Sequence, residues 1–131
     1  RGSHRLSVWI RNMTKKELKK LLKVIRRFAE MDPTMSVMAV NAFLSVAADE
    51  DITTIADVRD VLLRYGGTRS NVSRNVSIWA EEGWKRPDGT RPDGYAYLRT
   101  IPDPEDYRRK IVQVTHKGTA FCAELEALMD D

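Results

Sequence analysis

The chain has 131 residues, a hydrophobic content of 42%, a charged content of 31% and a formal net charge of +3. These values predict one globular domain and exclude a disordered chain, and the net charge is too small to indicate nucleic acid by itself. No apolar run approaches the ~20 residues that span a bilayer, and no signal-peptide pattern is present, so we expect a soluble, cytoplasmic protein without a membrane partner. Residues 1–4 resemble an expression-tag remnant, which leaves 5–131 as the domain.

The two ends of the chain carry opposite charge. Nine Lys or Arg and one acid lie between Arg5 and Arg27, whereas four acids and no base follow from Phe121 onward. Either the ends attract each other in a bundle of terminal helices, or the basic end faces phosphates. The single cysteine, Cys122, excludes an internal disulfide, and its apolar neighbours favour burial over redox sensing.

The first helix is predicted over 15–31. Thr14 and Glu17 have the spacing of a capping box, and an apolar repeat of helical period follows them. The apolar leader 6–10 is either a floppy end or a segment that packs on the helix or on a partner chain.

A second helix is predicted from Asp32 and Pro33 to Ala48. Aspartate followed by proline is typical of a helix N-terminus, and the methionines and alanines that follow repeat at core spacing. The acidic run 49–51 offers too few oxygen ligands for a cation site and is interpreted as a solvated loop.

A helix, a glycine turn and a second helix are predicted next, the arrangement of a helix-turn-helix. Thr54 and Asp57 form a capping box for a helix that stops at Gly66 and Gly67. Thr68 then caps a recognition helix, 69–82, and the apolar face of that helix is Val72, Val76, Trp79 and Ala80.

The other faces of this helix are polar. They carry Thr68, Arg69, Ser70, Asn71, Ser73, Arg74 and Asn75, with Ile78 exposed beside them. Most of these side chains can donate to phosphates or to base edges in a major groove, which predicts DNA reading. An ordinary surface helix with a solvated polar face is the alternative.

A loop with two arginines and a hairpin are predicted downstream. The repeated Arg-Pro-Asp-Gly begins at Arg86 and again at Arg91 and fits two type I turns. Both arginines protrude from the predicted loop and are candidate DNA contacts. Segments 95–101 and 109–115 are rich in β-formers, which predicts a two-stranded wing with Leu98, Val112 and Val114 facing the core. Tyr95, Tyr97 and Arg99 should lie on the opposite face. Thr115 caps a final helix, 116–129, with Ala120, Phe121, Leu125 and Leu128 facing inward.

The run from Asp103 to Gly118 resembles the wing and last-helix junction of the MarR family of winged-helix regulators. In that family an Asp-x-Arg pair, here Asp106 and Arg108, precedes a strand that ends in Leu-Thr and a lysine-glycine step. The matching residues here are Val114-Thr115 and Lys117-Gly118. The segment TRSNVSRNV is similar to the family's recognition helix, with Ser73 and Arg74 at its recurring Ser-Arg. The order of elements agrees from residue 15 to residue 129.

The resemblance implies a mainly α fold with a small β wing. The winged helix-turn-helix lobe, 33–115, would be flanked by dimerisation helices 15–31 and 116–129. It further implies a homodimer on double-stranded DNA, with Arg108 near the DNA, Asp106 holding it, and the wing cations Arg99, Arg109 and Lys110 beside them. Tyr107, where the family has a basic residue, and the repeat at 86–94 mark a divergent member.

Other functional classes have weaker support. The chain lacks the motifs of an activated nucleophile, a P-loop or a metal site, so we expect no enzyme activity, no catalytic residue, no metal and no cofactor. A winged helix that binds a protein partner, such as an adaptor on a polymerase, is the alternative function. No local motif indicates a small-molecule effector.

Overall fold

The structure, a computed structural model, describes residues 2–81, 87–90 and 93–130, with side chains from Lys15 onward. This part of the chain is mainly helical, with five helices and one small antiparallel sheet. The helices are α1 (Gly2–Met31), α2 (Val37–Ala48), α3 (Ile55–Arg64), α4 (Arg69–Ser77) and α5 (His116–Leu128), and the strands are β1 (Leu98–Pro102) and β2 (Lys110–Val114). None of the described helices combines the length with the hydropathy that a membrane-spanning helix requires.

The chain divides into two compact units. One comprises Arg1–Thr34 and Ala123–Asp131, and the other comprises Met35–Cys122. In the first unit, Arg27 of α1 donates to the carboxylate of Glu124 in α5 over 3.0 Å. The opposite charges of the two chain ends therefore meet in an ion pair within one chain.

Helix α1 begins at Gly2 rather than at the predicted residue 15. The capping box predicted at Thr14 and Glu17 is wrong, because the helix is continuous through both residues. The apolar positions of the leader, Leu6, Trp9, Ile10 and Met13, already follow the helical offsets 0, 3, 4 and 7. The leader and residues 2–4 belong to the same helix as the predicted segment 15–31.

Helix α2 begins at Val37, four residues after the predicted start at Pro33. Its N-cap is Ser36, whose hydroxyl accepts from the backbone N–H of Ala39 over 3.0 Å. Asp32 instead accepts from the N–H and the hydroxyl of Thr34 at 2.9 and 2.7 Å, which closes a turn. These hydrogen bonds lower the pKa of Asp32, the side-chain bond more than the backbone bond. An Asx-turn thus takes the place of the predicted cap.

The caps of α3 and α4 are confirmed. Thr54 accepts from the N–H of Asp57, whose carboxylate accepts from the N–H of Thr54, and Thr68 accepts from the N–H of Asn71. Between the helices Gly66 has φ +94°, a conformation that side chains rarely adopt. The predicted stop of α3 at the two glycines is confirmed as well.

Helix α4 ends at Ser77, so the predicted extent of 69–82 is too long. The carbonyls that would continue the helix accept from the returning chain: Ile78 from Tyr95 N–H, Trp79 from the N–H groups of Tyr97 and Leu98, and Ala80 from Ala96 N–H. These bonds to residues 95–98 compete with the hydrogen bonds that the same carbonyls would accept in a continuing helix. Ile78, expected to be exposed, is half-buried.

The sheet pairs Leu98 with Val114 at one end and Pro102 with Lys110 at the other. Strand β1 starts three residues later than predicted, since Ala96 has φ 59°, outside the β region.

Tyr95 and Tyr97 were expected on the outer face, and that expectation is wrong. Tyr97 stacks on Phe121, with ring centroids 4.7 Å apart, and Tyr95 lies 5.4 Å from Trp79. Leu98 and Val112 are buried as predicted.

The segment before α3 is joined to the sheet. Thr54 forms an antiparallel bridge with Ile111, and Val112 N–H donates to the carbonyl of Thr53 over 3.0 Å. These bonds hold the first turn of α3 beside β2. Behind them lies an aromatic core in which Phe43 contacts Trp79, Tyr97 and Phe121.

Helix α5 begins after Thr115, as predicted. The Thr115 hydroxyl accepts from Gly118 N–H over 3.0 Å and donates to the carbonyl of Ala96 over 2.7 Å. Phe121 and Leu125 are buried, whereas Ala120, expected to face inward, is exposed. Cys122, expected to be buried, is half-buried.

Candidate nucleic-acid interface

The exposed face of α4 collects most of the polar residues singled out in the sequence. Val72 and Val76 are buried and fix the orientation of the helix. Thr68, at the N-cap, is exposed, and so are Arg69, Ser70, Asn71, Ser73 and Arg74. Helix α4 contains two arginines and no acid, so its exposed face is electropositive.

Asn75 differs from its neighbours. Its side chain is half-buried, and its amide oxygen accepts from the hydroxyl of Ser36, the N-cap of α2, over 3.0 Å. Asn75 therefore ties α4 to α2 at the rim of the polar face. This bond occupies the acceptor oxygen of Asn75 and fixes its side chain, so Asn75 positions α4 against α2.

Two serines at the polar face also make local bonds. Ser70 shares a hydrogen bond of 3.2 Å with Thr68, and the hydroxyl of Ser77 donates back to the carbonyl of Ser73 over 2.7 Å. Asn71 uses its backbone N–H in the cap and keeps its side-chain amide at the exposed surface. A side-chain amide there offers both a donor and an acceptor to an outside molecule.

The hairpin presents the second group of predicted residues. Arg99 of β1 donates two hydrogen bonds to the side-chain oxygen of Gln113 on β2, at 2.9 and 3.1 Å. This cross-strand pair holds the Arg99 guanidinium along the exposed face of the sheet. It uses two N–H donors of Arg99, a residue that was predicted to contact DNA.

The connection between the strands, residues 103–109, is closely hydrogen-bonded. Asp103 N–H donates to Arg109 O over 2.9 Å, and Arg109 N–H donates to Asp106 O over 2.9 Å. The Asp106 carboxylate accepts from the backbone N–H of Arg108 at 3.1 Å and from its guanidinium at 3.3 Å. The Asp106–Arg108 pair that the sequence suggested is thus formed at an exposed turn.

A cleft of about 240 Å³ lies between the first turn of α3 and this connection. It is lined by Thr54, Ile55, Ala56, Arg59, Arg108, Arg109 and Lys110. Arg59 was missed by the sequence analysis, because on α3 it is one more polar residue on a solvated helix face. Only the pairing of Thr53 and Thr54 with β2 brings Arg59 to the three wing cations.

The structure brings the predicted residues together in two groups. One is the α4 face, and the other is the hairpin with its cleft; α3 packs against both α4 and β2.

Arg86 and Arg91 lie outside the described residues. The part of their loop that is described, 87–90, is a turn in which Asp88 accepts from the hydroxyl and the N–H of Thr90. These bonds lower the pKa of Asp88.

Among the described residues, no group of three His, Cys, Asp or Glu side chains is placed to hold a metal ion. Comparison with known proteins adds no identification: no protein-family model, curated protein or solved structure matches the chain. The functional conclusion therefore depends on the geometry of the α4 face and the hairpin.

Proposed function

We propose that this protein is a sequence-specific double-stranded DNA-binding transcriptional regulator of the MarR-like winged-helix type. In the proposed complex α4 lies in the major groove, and the hairpin lies on the flanking minor groove. The observation that carries the proposal is the exposed face of α4, which combines Arg69, Asn71, Ser73 and Arg74 with no acid. Arginine and asparagine are the residues that most often make paired hydrogen bonds to guanine and adenine edges.

The order and pairing of the elements support a winged helix. Helices α3 and α4 are joined by the turn at Gly66 and Gly67, and the segment before α3 pairs with the second strand of the hairpin. This arrangement stabilises the helix pair against the sheet, so that the α4 face and the hairpin connection keep a defined spacing.

We further propose that the protein acts as a homodimer through α1 and α5. Leu18, Leu21, Leu22 and Ile25 of α1 are 42% to 59% exposed and repeat at helical offsets 0, 3, 4 and 7. Four large apolar side chains in one stripe are more than scattered surface exposure explains, and a second copy of the stripe would cover them. Met129, just after α5, is also half exposed.

A protein-binding module is the second candidate, and one observation favours it. Tyr107, at the hairpin connection, is 80% exposed and stands on a turn held by five hydrogen bonds from backbone N–H groups on either side. An exposed aromatic side chain on a turn with a fixed backbone is typical of protein interaction surfaces, because little backbone freedom is lost on binding.

Selection of bound duplexes from a random pool tests both candidates. The DNA-binding proposal expects an enriched, palindromic sequence, because two symmetric copies of α4 would read two half-sites. Asn71→Ala with Arg74→Ala serves as the matched control and should lose the enrichment while remaining folded by circular dichroism. A pool without enrichment after repeated rounds at low salt would favour the protein-binding module.

A further inference from the structure

We propose that the cleft between the first turn of α3 and the hairpin connection is a phosphate-binding site. Four cationic side chains line it: Arg59, Arg108, Arg109 and Lys110. They come from two segments that lie about fifty residues apart in the sequence. Arginine is suited to phosphate because its planar fork can donate two parallel hydrogen bonds to one phosphate group.

The walls of the cleft are held in place by backbone bonds. Thr54 pairs with Ile111, and Thr53 accepts from Val112 N–H, so the first turn of α3 cannot move away from β2 without breaking the sheet edge. On the other side, the Asp103–Arg109 bond closes the connection next to the cleft. The backbone therefore places the four cationic residues around the cleft before an anion binds. Less conformational entropy is then lost on binding.

The local charge favours an anion. Two of the four cations are in ion pairs: Asp60 lies 3.7 Å from Arg59, and Asp106 lies 3.3 Å from Arg108. Within the described part of the chain, Arg109 and Lys110 have no carboxylate within ion-pair distance. Both pairs are largely exposed and hold their arginines only weakly in water, so an arriving phosphate can compete for them.

The amide end of α3 contributes little to anion binding. Asp57 accepts from the N–H groups of Thr53 and Thr54, and Thr54 accepts from Asp57 N–H, so the capping box has already satisfied several donors at that end. Asp57 also adds negative charge beside the helix terminus. The affinity for phosphate must come from the side chains of the four cations.

The size of the cleft restricts the ligand. About 240 Å³ is below the ~300–1,000 Å³ of sites that enclose drug-sized molecules. A phosphate or diphosphate group fits this size, with the remainder of its parent molecule outside. Two sources have this chemistry: a backbone phosphate of a bound duplex, which rests on the proposed function, and a free phosphoanion, which does not.

Titration with inorganic pyrophosphate, followed by backbone amide NMR without DNA, tests the free-anion source. We expect saturable shifts for residues 54–59 and 108–110, and Arg59→Gln should weaken the binding about tenfold, the effect of one lost charged hydrogen bond. Arg59→Lys, which keeps the charge, should retain most of the binding. Arg64→Gln, an exposed cation at the other end of α3, is the matched control and should leave the binding unchanged.

A second titration, with a duplex from the random-pool selection, tests the backbone source. Arg59→Gln should weaken duplex binding about tenfold and leave the preferred sequence unchanged, since a phosphate contact carries no sequence information. Loss of pyrophosphate binding alone assigns the site to a free anion, and loss of duplex binding alone assigns it to DNA. If Arg59→Gln behaves as Arg64→Gln in both titrations, the proposal is overturned. If no duplex is selected at all, the proposed function fails, and the pyrophosphate titration still decides the phosphate site.

Discussion

The indole N–H of Trp79 donates to the backbone carbonyl of Ala39 over 2.8 Å, inside the core. Trp79 lies two residues after the end of α4, and Ala39 lies in the first turn of α2, so one bond joins the end of the proposed reading helix to the helix behind it. Both residues are fully buried. The orientation of α4 thus depends on a side chain that never reaches the exposed face.

The first prediction concerns this bond. Trp79→Phe should reduce the free energy of unfolding by about 2–3 kcal/mol, because it removes the hydrogen bond and leaves a cavity where the larger ring was. Urea unfolding followed by circular dichroism measures the change. Tyr107→Phe, on the exposed turn, is the control and should alter the free energy by less than about 0.5 kcal/mol. Equal stability of the two variants would contradict the role assigned to Trp79.

Gly118 allows α5 to approach the chain before β1. A Cβ on this buried residue would overlap the carbonyl oxygen of Tyr97 and crowd the side chain of Val114. Alanine usually stabilises a helix by about 1 kcal/mol relative to glycine, but overpacking costs about 1–3 kcal/mol. Gly118→Ala should therefore lower the melting temperature, whereas Glu126→Ala, on the exposed side of α5, should leave it nearly unchanged. A higher melting temperature for Gly118→Ala would mean that α5 does not pack as closely as described.

Asp57 should make stability depend on pH. The pKa of Asp57 is lowered, chiefly by the hydrogen bond from the backbone N–H of Thr53 and also by the bonds from Thr54, with desolvation opposing them. Since a lowered pKa in the folded protein means that the ionised form stabilises it, the contribution is complete above the ordinary aspartate pKa. It is lost as pH falls below about 4 through the lowered value.

The measurement compares Asp57→Ala with the parent protein by urea unfolding at pH 7, 5 and 3. At pH 7 the variant should be less stable by about 1 kcal/mol, the usual size of a helix-cap loss, and the difference should shrink at pH 3. Asn71→Ala, at an exposed position of α4 and without an ionisable side chain, should show no such trend. A difference that is as large at pH 3 as at pH 7 would exclude ionisation of Asp57 as its cause.

The apolar stripe of α1 predicts the state of association. Leu21→Glu with Ile25→Glu should convert a dimer, with twice the chain mass of 15.0 kDa, into a monomer. The reason is that each charge would have to enter an apolar interface. Light scattering at micromolar concentration provides the mass. Lys23→Glu, also exposed on α1, tests whether charge alone is responsible. A parent protein that scatters as a 15.0 kDa species would rule out the dimer.

The wing pair gives the last prediction. Arg108→Ala should lower the magnitude of the slope of log affinity against log salt concentration by about two. Each copy of a dimer would lose one phosphate contact, and each contact contributes ~0.9 to the slope. Folding should be unaffected, because the Arg108 side chain is 92% exposed. Asp106→Ala should also weaken DNA binding, since it removes the acceptor that orients Arg108. Tighter binding by Asp106→Ala would indicate that its charge merely repels DNA.

Features that depend on neighbouring residues could be predicted from the sequence. The caps at Thr54, Thr68 and Thr115 were predicted correctly, because each links residues three positions apart, as was the stop of α3 at the glycines. The apolar periods located the five helices, and β-forming residues located the hairpin. For the start of α2 several nearby residues could act as the cap, and the local pattern did not distinguish Asp32 from Ser36.

Features that depend on competition between distant segments for the same hydrogen-bonding groups could not be predicted in this way. Helix α4 ends at Ser77 because N–H donors of residues 95–98 bind the carbonyls of residues 78–80, and no pattern within α4 reveals those donors. Tyr97 turns toward Phe121 because Ala96 adopts a positive φ, which breaks the alternation of side chains expected for a strand. Arg59 reaches the wing cations through the pairing of Thr54 with Ile111. Periodicity reports which face of an element is apolar, but hydrogen bonds between segments decide where the element ends and which charges meet.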